Sequence, residues 1–559
     1  MANLPQELVE RICSLLSRDD LKNTVTVSRS FQYASERASG AYAEYDLTED
    51  NAQAFLDRYS GRRWAYLRRV RFRTHIPPYD EDDIDQDAEN AHRCRESSDE
   101  LREKDELFTK QINFVFETLH TIESRVSAGK LQLTVFTPVR DVNATCPHRK
   151  CISWRLHLRD PEKLPRLQSV RAISIEDEKV IYPLEEDQSL LKLDLRVLID
   201  LAIKCPRLEF LGCRLDAGSG WTTEVSSDAA RYYTRDWAGP LRDSRRDFAK
   251  ALEAATLPST LREAQLDFLH PLSSAERIDQ TEKVPNLVGS AASDPFSNSL
   301  RLLSDRLRKL EFRTVADATL FWPADGATSW PNLESVCVMF HPSSPSGRWY
   351  FEGPGGDGHD PEGFEITDSS YPPLEDTSED ETWDEDIDDN GLNTEICASK
   401  KFRVQPNDDV LVPFLTAFAK AASNMPALRE ACLWAPLTWE AHDVDGYADY
   451  DGTQLAMWPD KPLAWGIAYV APATFGFHAF PGQHYSQSRQ LWWETAQWRP
   501  SSELRQLFQQ IGDKDIKLHE YWGHEKFGQK LALRQLFDQF EVFGYRHPNS
   551  EWRNQIHVK

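Results

Sequence analysis

The chain has 559 residues, 40% of them hydrophobic and 28% charged, with 17 Trp and a net charge of −25, and its mean hydropathy is −0.58. That aromatic content excludes a disordered chain, and no run of 18 apolar residues is present to cross a membrane. The acidity is concentrated: residues 80–89 hold seven acids and residues 375–389 ten, neither with a base, so about −8 is left for the rest and nucleic acid is not an expected partner.

Residues 4–31 read LPQELVERICSLLSRDDLKNTVTVSRSF. Pro5 suits the first turn of a helix, where no N–H is required, and Leu8, Ile12, Leu15 and Leu16 recur at helical spacing. Asp19 or Asp20 is placed to cap a short second helix carrying Leu21 and Val25, and Ser28 a third with Phe31 on its buried side. Three such helices bury too little surface to be stable alone, so their apolar stripe implies a partner or a following domain. No basic region followed by an apolar run opens the chain, so no secretory leader is expected. Nine scattered Cys then read as reduced thiols of the cytoplasm or nucleus.

This stretch resembles the F-box: Leu4-Pro5, Glu7-Leu8, Ile12, Leu15, Asp20-Leu21, Val27-Ser28-Arg29 and Phe31 fall at that motif's spacing. The resemblance covers residues 1–45. It implies docking onto the Skp-family adaptor of a cullin–RING ubiquitin ligase, with Leu4, Pro5, Leu8, Ile12, Leu15 and Leu21 matching positions that face the adaptor. Leu16, Val25, Val27 and Phe31 complete the candidate adaptor-binding set, although Val25, Val27 and Phe31 could equally fill the small core between the helices.

A second pattern follows. Leu67-x-x-Val70-x-Phe72, Leu208-x-x-Leu211-x-Cys213, Leu261-x-x-Ala264-x-Leu266, Leu307-x-x-Leu310-x-Phe312, Leu333-x-x-Val336-x-Val338 and Leu428-x-x-Ala431-x-Leu433 share one apolar template, and Leu167-x-x-Val170-x-Ala172 fits it loosely. Apolar helical stretches at 190–205, 248–257 and 410–425 precede several of them. Repeated helix–strand units whose apolar sides only their neighbours can cover are the mark of a solenoid, and the strand pattern resembles that of leucine-rich repeats. Spacings of 41, 53, 46, 26 and 95 between successive marker leucines from Leu167 to Leu428 make the array irregular. The expected fold class is therefore α/β: a three-helix F-box at 1–45, an irregular leucine-rich-repeat-like solenoid at 46–435, and a Trp-rich cap at 436–559. Two acidic insertions, about 77–100 and 342–397, are expected to be mobile loops.

In the last region Trp434, Trp439, Trp458, Trp465, Trp492, Trp493 and Trp498 crowd together. Residues 463–470 and 490–498 read as strands, and 501–511 and 526–543 as helices. A solenoid needs a terminal cap over its last apolar face, and one or two of these Trp could instead serve recognition. In layout the chain resembles large fungal F-box proteins with degenerate repeats and a Trp-rich C-terminal region.

Other chemistry is weakly signalled. Residues 353–358 satisfy G-x-G-x-x-G, but His359-Asp360-Pro361 follows where a helix N-terminus should hold a pyrophosphate, so a loop is expected. Cys146, His148, Cys151 and His157 have zinc-type donors but no second paired set. Thr377 and Ser378 precede acids, as acid-directed kinases require, though an unmodified loop reads as well. No catalytic residue, cofactor or metal is expected. The reading is a non-catalytic receptor that binds the Skp-family adaptor and an unidentified target protein. The alternatives are an adaptor-bound scaffold without a role in degradation, a ligand-gated receptor, and an enzyme with its site in the aromatic region.

Overall fold

In the computed structural model the recurring apolar template is strand sequence. The structure describes residues 4–77, 96–141, 154–177, 188–216, 232–385, 400–440, 462–474, 486–523 and 530–538, apart from a few single or paired positions within them. Twelve strands form the path of one sheet: β1 (Glu44–Leu47), β2 (Arg69–Ile76), β3 (Leu131–Asp141), β4 (Val170–Glu176), β5 (Phe210–Asp216), β6 (Glu263–His270), β7 (Lys309–Thr314), β8 (Ser335–Phe340), β9 (Glu430–Leu437), β10 (Leu463–Val470), β11 (Arg489–Glu494) and β12 (Leu518–Trp522). Each pairs with its neighbours in this order. β1 to β9 run parallel, β10 is antiparallel to β9 and β11, and β12 is parallel to β11. The described strands close no barrel, and the path runs through residue 435 without a break.

Register turns the template into two continuous rows. The first runs Tyr45, Val70, Leu133, Ile173, Leu211, Ala264, Leu310, Val336, Ala431, Tyr469 and Leu491. The second, two residues on, runs Leu47, Phe72, Val135, Ile175, Cys213, Leu266, Phe312, Val338, Leu433, Ile467 and Trp493. Because side chains alternate across a strand, both rows lie on one face. Helices cover that face: α4 (Ala52–Tyr59), α5 (Ser98–Glu123), α6 (Arg196–Ala202), α7 (Gly239–Ala254), α8 (Pro295–Ser304), α9 (Asp408–Ser423) and α10 (Ser502–Gln509), which share one core with the rows. On α5, Phe108, Ile112, Val115, Phe116, Leu119 and Ile122 form an inward stripe at helical spacing. The opposite face is polar at its N-terminal end and turns apolar around Cys337, Met339, Cys432 and Trp434.

Several expectations are corrected. At β4 the template sits three residues later than expected: Val170 pairs with Leu131, two residues before the Leu133 row, and β4 spends one extra residue opposite the Leu131–Gln132 step, so Ile173 and Ile175 enter the rows. Residues 342–397 are structured where described. Trp349, Tyr350 and Phe351 are buried, Phe351–Glu352 pairs with Gln405–Pro406, and Trp383 stacks on Tyr232 at 5.3 Å. These aromatic anchors outweigh the like charges around them. The expected loop at 77–100 ends inside α5, whose first turn is fixed by a capping box: Glu100 N donates to Ser97 Oγ at 3.3 Å and Ser97 N to the Glu100 carboxylate at 2.8 Å. Its seven-acid tract lies outside the described residues. Residues 526–543, expected helical, form a two-residue strand, Ala532–Leu533, and a 3-10 turn, Arg534–Leu536, where described. β11 covers β10 only from Gly466 onward, so Leu463 and Ala464 keep an open edge that Ala532–Leu533 takes.

Candidate docking surface

Three helices precede the sheet: α1 (Gln6–Ser14), α2 (Arg18–Thr24) and α3 (Arg29–Ala38). α1 has two apolar faces. Val9 and Cys13 point inward, where they join Leu21, Phe31 and Ala34 in a small separate core against which Leu16 packs. Outward point Leu4, Leu8, Ile12 and Leu15, which are 41, 51, 39 and 76% exposed. Spacings of four and three residues put Leu8, Ile12 and Leu15 on one stripe of the helix, and Leu4 lies just before its N-cap. Val27, in the turn before α3, is a further 50% exposed. Five of the eight large hydrophobic side chains exposed among the described residues thus lie within the first 27, so the exposed apolar surface is concentrated on this unit.

The remaining expected contact residues divide. Pro5 is exposed at the N-cap of α1, and Leu16 and Val25 are half-buried. Leu21 and Phe31 are buried, at 6 and 8% exposure: Leu21 is corrected from contact to core, and Phe31 takes the core alternative left open for it. α2 is only seven residues long, and Leu21 is the apolar side chain it turns toward α3. α2 is capped by Ser17, whose Oγ accepts from Asp20 N at 3.3 Å, and not by Asp19 or Asp20, which sit in its first turn and complement the helix dipole. Ser28 caps α3 as expected, accepting from Phe31 N at 3.3 Å.

What holds this unit to the sheet is polar, and nothing in its sequence spacing signals it. Glu36 on α3 is 5% exposed and accepts from Arg63 Nη2 at 2.6 Å and Arg62 Nη2 at 2.8 Å, both on the segment leading to β2. Burial pushes the Glu36 carboxyl up, but hydrogen bonds from Arg63 and Arg62 more than offset it and hold it below the usual range. The Arg62 guanidinium also lies 3.5 Å from the Tyr33 ring centroid and that of Arg63 4.3 Å from Tyr42. The outer stripe of α1 takes no part in this clamp.

The aromatic region is mostly core. Trp434, Trp465 and Trp493 are buried, Trp439 and Trp498 are half-buried, and Trp498 Nε1 donates to Asp408 at 2.7 Å. Trp458 lies outside the described residues. Trp492 stacks on Tyr521 at 4.2 Å. Within residues 353–358, Pro354–Gly356 make a short 3-10 turn, and no helix follows directly among the described residues. Thr377 bonds Tyr232 Oη at 2.7 Å, while Ser378 is exposed. Of the zinc-type set only His157 is described, Cys146, His148 and Cys151 lying outside. The His157 ring lies 3.8 Å from Asp105 and 3.5 Å from Asp194, and lines a cavity of about 310 Å³ together with Asp160, Glu162, Asp194, Arg196 and Asp200. Burial pushes the Asp105 and Asp194 carboxyls up, and that of Asp200 to about 6.

Among the described residues no helix is long and apolar enough to cross a membrane, and no three His, Cys, Asp or Glu side chains group as metal ligands. Cys13, Cys205, Cys213, Cys337 and Cys432 are buried free thiols. No protein-family model matches the chain, and no curated protein matches it either.

Proposed function

We propose that the chain is the substrate-receptor subunit of a Skp–cullin–F-box ubiquitin ligase, its N-terminal helices an F-box and its sequentially paired sheet an irregular leucine-rich-repeat-like solenoid. One observation carries the reading: Leu4, Leu8, Ile12 and Leu15 form an exposed stripe on a helical unit whose own core is filled by other residues. These side chains are 39–76% exposed, so a partner's apolar groove would recover a part of the roughly 1.5–3 kcal/mol that full burial of each contributes. In this reading the chain itself does no chemistry. It holds a target protein on the sheet body and raises the effective concentration of target lysines near ubiquitin activated elsewhere in the complex.

The test is co-expression with a Skp-family adaptor and size-exclusion chromatography of the wild type and of Leu8→Glu/Leu15→Glu. Both positions are exposed, so the variant is expected to fold and melt like the wild type. A stoichiometric complex lost in the variant supports the reading. Wild type that elutes alone, or a variant that still co-elutes with the adaptor, overturns it.

A further inference from the structure

Ser378 is the one serine or threonine in the chain followed by three consecutive acids, Glu379, Asp380 and Glu381. Its neighbour Thr377 has acids two and three positions on, Glu379 and Asp380. Protein kinases that read acidic side chains on the C-terminal side of a hydroxyl accept either arrangement. Sequence therefore offers two adjacent hydroxyls, and the fold separates them.

Thr377 is engaged by the turn it opens. Its N–H donates to Asp380 Oδ2 at 2.7 Å, and its Oγ1 accepts from Glu379 N at 3.3 Å. The same Oγ1 lies 2.7 Å from Tyr232 Oη and 3.1 Å from Asp380 Oδ1. Asp380 is 8% exposed and also accepts from Tyr232 Oη at 2.9 Å. Trp383 stacks on that tyrosine with planes 24° apart, and the Arg235 guanidinium lies 4.2 Å from its ring centroid. The turn is thus fastened to Tyr232 at Thr377, Asp380 and Trp383, across 145 positions of sequence from Thr377. Ser378 and Glu379 are exposed, and among the described residues Ser378 Oγ makes no hydrogen bond. Of the two hydroxyls, only that of Ser378 can enter a kinase without breaking the turn.

We propose that Ser378 is a phosphorylation site for an acid-directed protein kinase, and that the fold, by engaging Thr377, confines the mark to Ser378. In the step, the Ser378 oxygen attacks the γ-phosphorus of ATP. An O–P bond forms as the bond to the ADP oxygen breaks, and the hydroxyl proton leaves to the kinase's base. The product carries roughly 1.5–2 more negative charges at neutral pH. Ser378 Oγ takes no part in the anchor to Tyr232, so the mark changes the surface that a partner meets and leaves the fold beneath it in place. The proposal is independent of adaptor docking, and its test runs on the chain without adaptor, so either can fail alone.

The test incubates the full chain with a recombinant acid-directed serine/threonine kinase, ATP and Mg²⁺, and maps phosphate by tandem mass spectrometry. A synthetic peptide of residues 372–384 serves as the unfolded reference. The chain should take phosphate on Ser378, and Ser378→Thr should keep the mark at that position. In the Ser378→Ala chain, Thr377 should be modified at least about tenfold more slowly than in the peptide carrying the same change, because its hydrogen bonds must open first. A chain unmodified at Ser378 under conditions that modify the peptide there overturns the proposal, and so does a peptide that takes no phosphate. Thr377 modified as fast in the Ser378→Ala chain as in its peptide, with the variant melting like wild type, overturns it equally.

Discussion

Glu36 of α3 and Arg63 of the segment before β2 meet at 2.6 Å, and this contact, doubled by Arg62, fixes how the exposed stripe of α1 is presented. Charged hydrogen bonds of this kind contribute roughly 1.5–3 kcal/mol each. Glu36→Ala should therefore loosen the three-helix unit from the sheet without unfolding either. Limited proteolysis near residues 39–43 should become at least several-fold faster while the main melting transition moves little. Unchanged cleavage would mean that the cation–π contacts of Arg62 and Arg63 hold the unit without Glu36. The Glu36 carboxyl sits below its ordinary range, so its contribution is present at neutral pH and lost as pH falls through its folded value. The same cleavage should accelerate in wild type toward acid.

Outward and inward positions of the N-terminal unit should behave oppositely. Leu15→Glu, at a side chain 76% exposed, should change stability by no more than about 0.5 kcal/mol. Phe31→Ala, at one 8% exposed, should cost about 3–5 kcal/mol and melt the small core. Circular dichroism of the two variants distinguishes them. If Leu15→Glu melts the unit as Phe31→Ala does, the stripe is covered by the chain's own body.

Gly466 is required by what lies over it. A Cβ there would come within 2.8 Å of the Trp434 Cβ and 2.9 Å of the Phe537 ring. Gly466→Ala should cost about 1–3 kcal/mol, and hydrogen exchange should rise at residues 533–538 before it rises in β9 or β10. A rise spread evenly over the sheet would show that the strands yield in place of the overlying segment.

Asp200 on α6 gives a pH dependence of the other sign. Burial pushes its carboxyl up to about 6, with Arg196 pulling against it at 3.2 Å. Between an unfolded value near 3.9 and that folded value the folded chain binds the extra proton, so this group's contribution to stability falls as pH rises through that window. Above it the cost, about 3 kcal/mol, is fully in place. Asp200→Asn should therefore stabilise the chain by about 1–3 kcal/mol more at pH 8 than at pH 4.5, measured by denaturant midpoint. A difference that does not vary with pH would mean that Asp200 stays ionised in the fold.

The sheet was legible where the template's apolar residues are all present: Leu211, Leu310, Val336 and Ala431 fell on strands and in one row. β3 was missed because Lys130 stands where the template's leading Leu belongs, although Leu133 and Val135 follow in register. α5 is masked in the sequence by the acidic run before it, whose like charges disfavour local order up to the capping box at Ser97 that starts the helix and its stripe from Phe108 to Ile122. The order in 342–397 depends on partners distant in sequence. Tyr371 bonds Asp243 at 2.6 Å, and Tyr232 bonds Asp380 at 2.9 Å, and no local pattern announces either. The candidate surface was legible in outline, because Leu8, Ile12 and Leu15 share one face by helical phase. That Leu21 turns inward was not, because it is placed by the packing of α2 against α3.

A sheet whose strands pair only with their chain neighbours would yield to a stretching force one strand at a time, from whichever end is pulled. The contact between Asp538 and Arg313 joins residues 225 apart and changes that order. Tension applied beyond residue 538 passes through this ion pair and the Phe537–Trp434 stack into β7 and β9 before it reaches β10, β11 or β12. Those last strands are mechanically shielded until the segment 532–538 lets go. Its release would then appear in a single-molecule pulling trace as a first, separate extension.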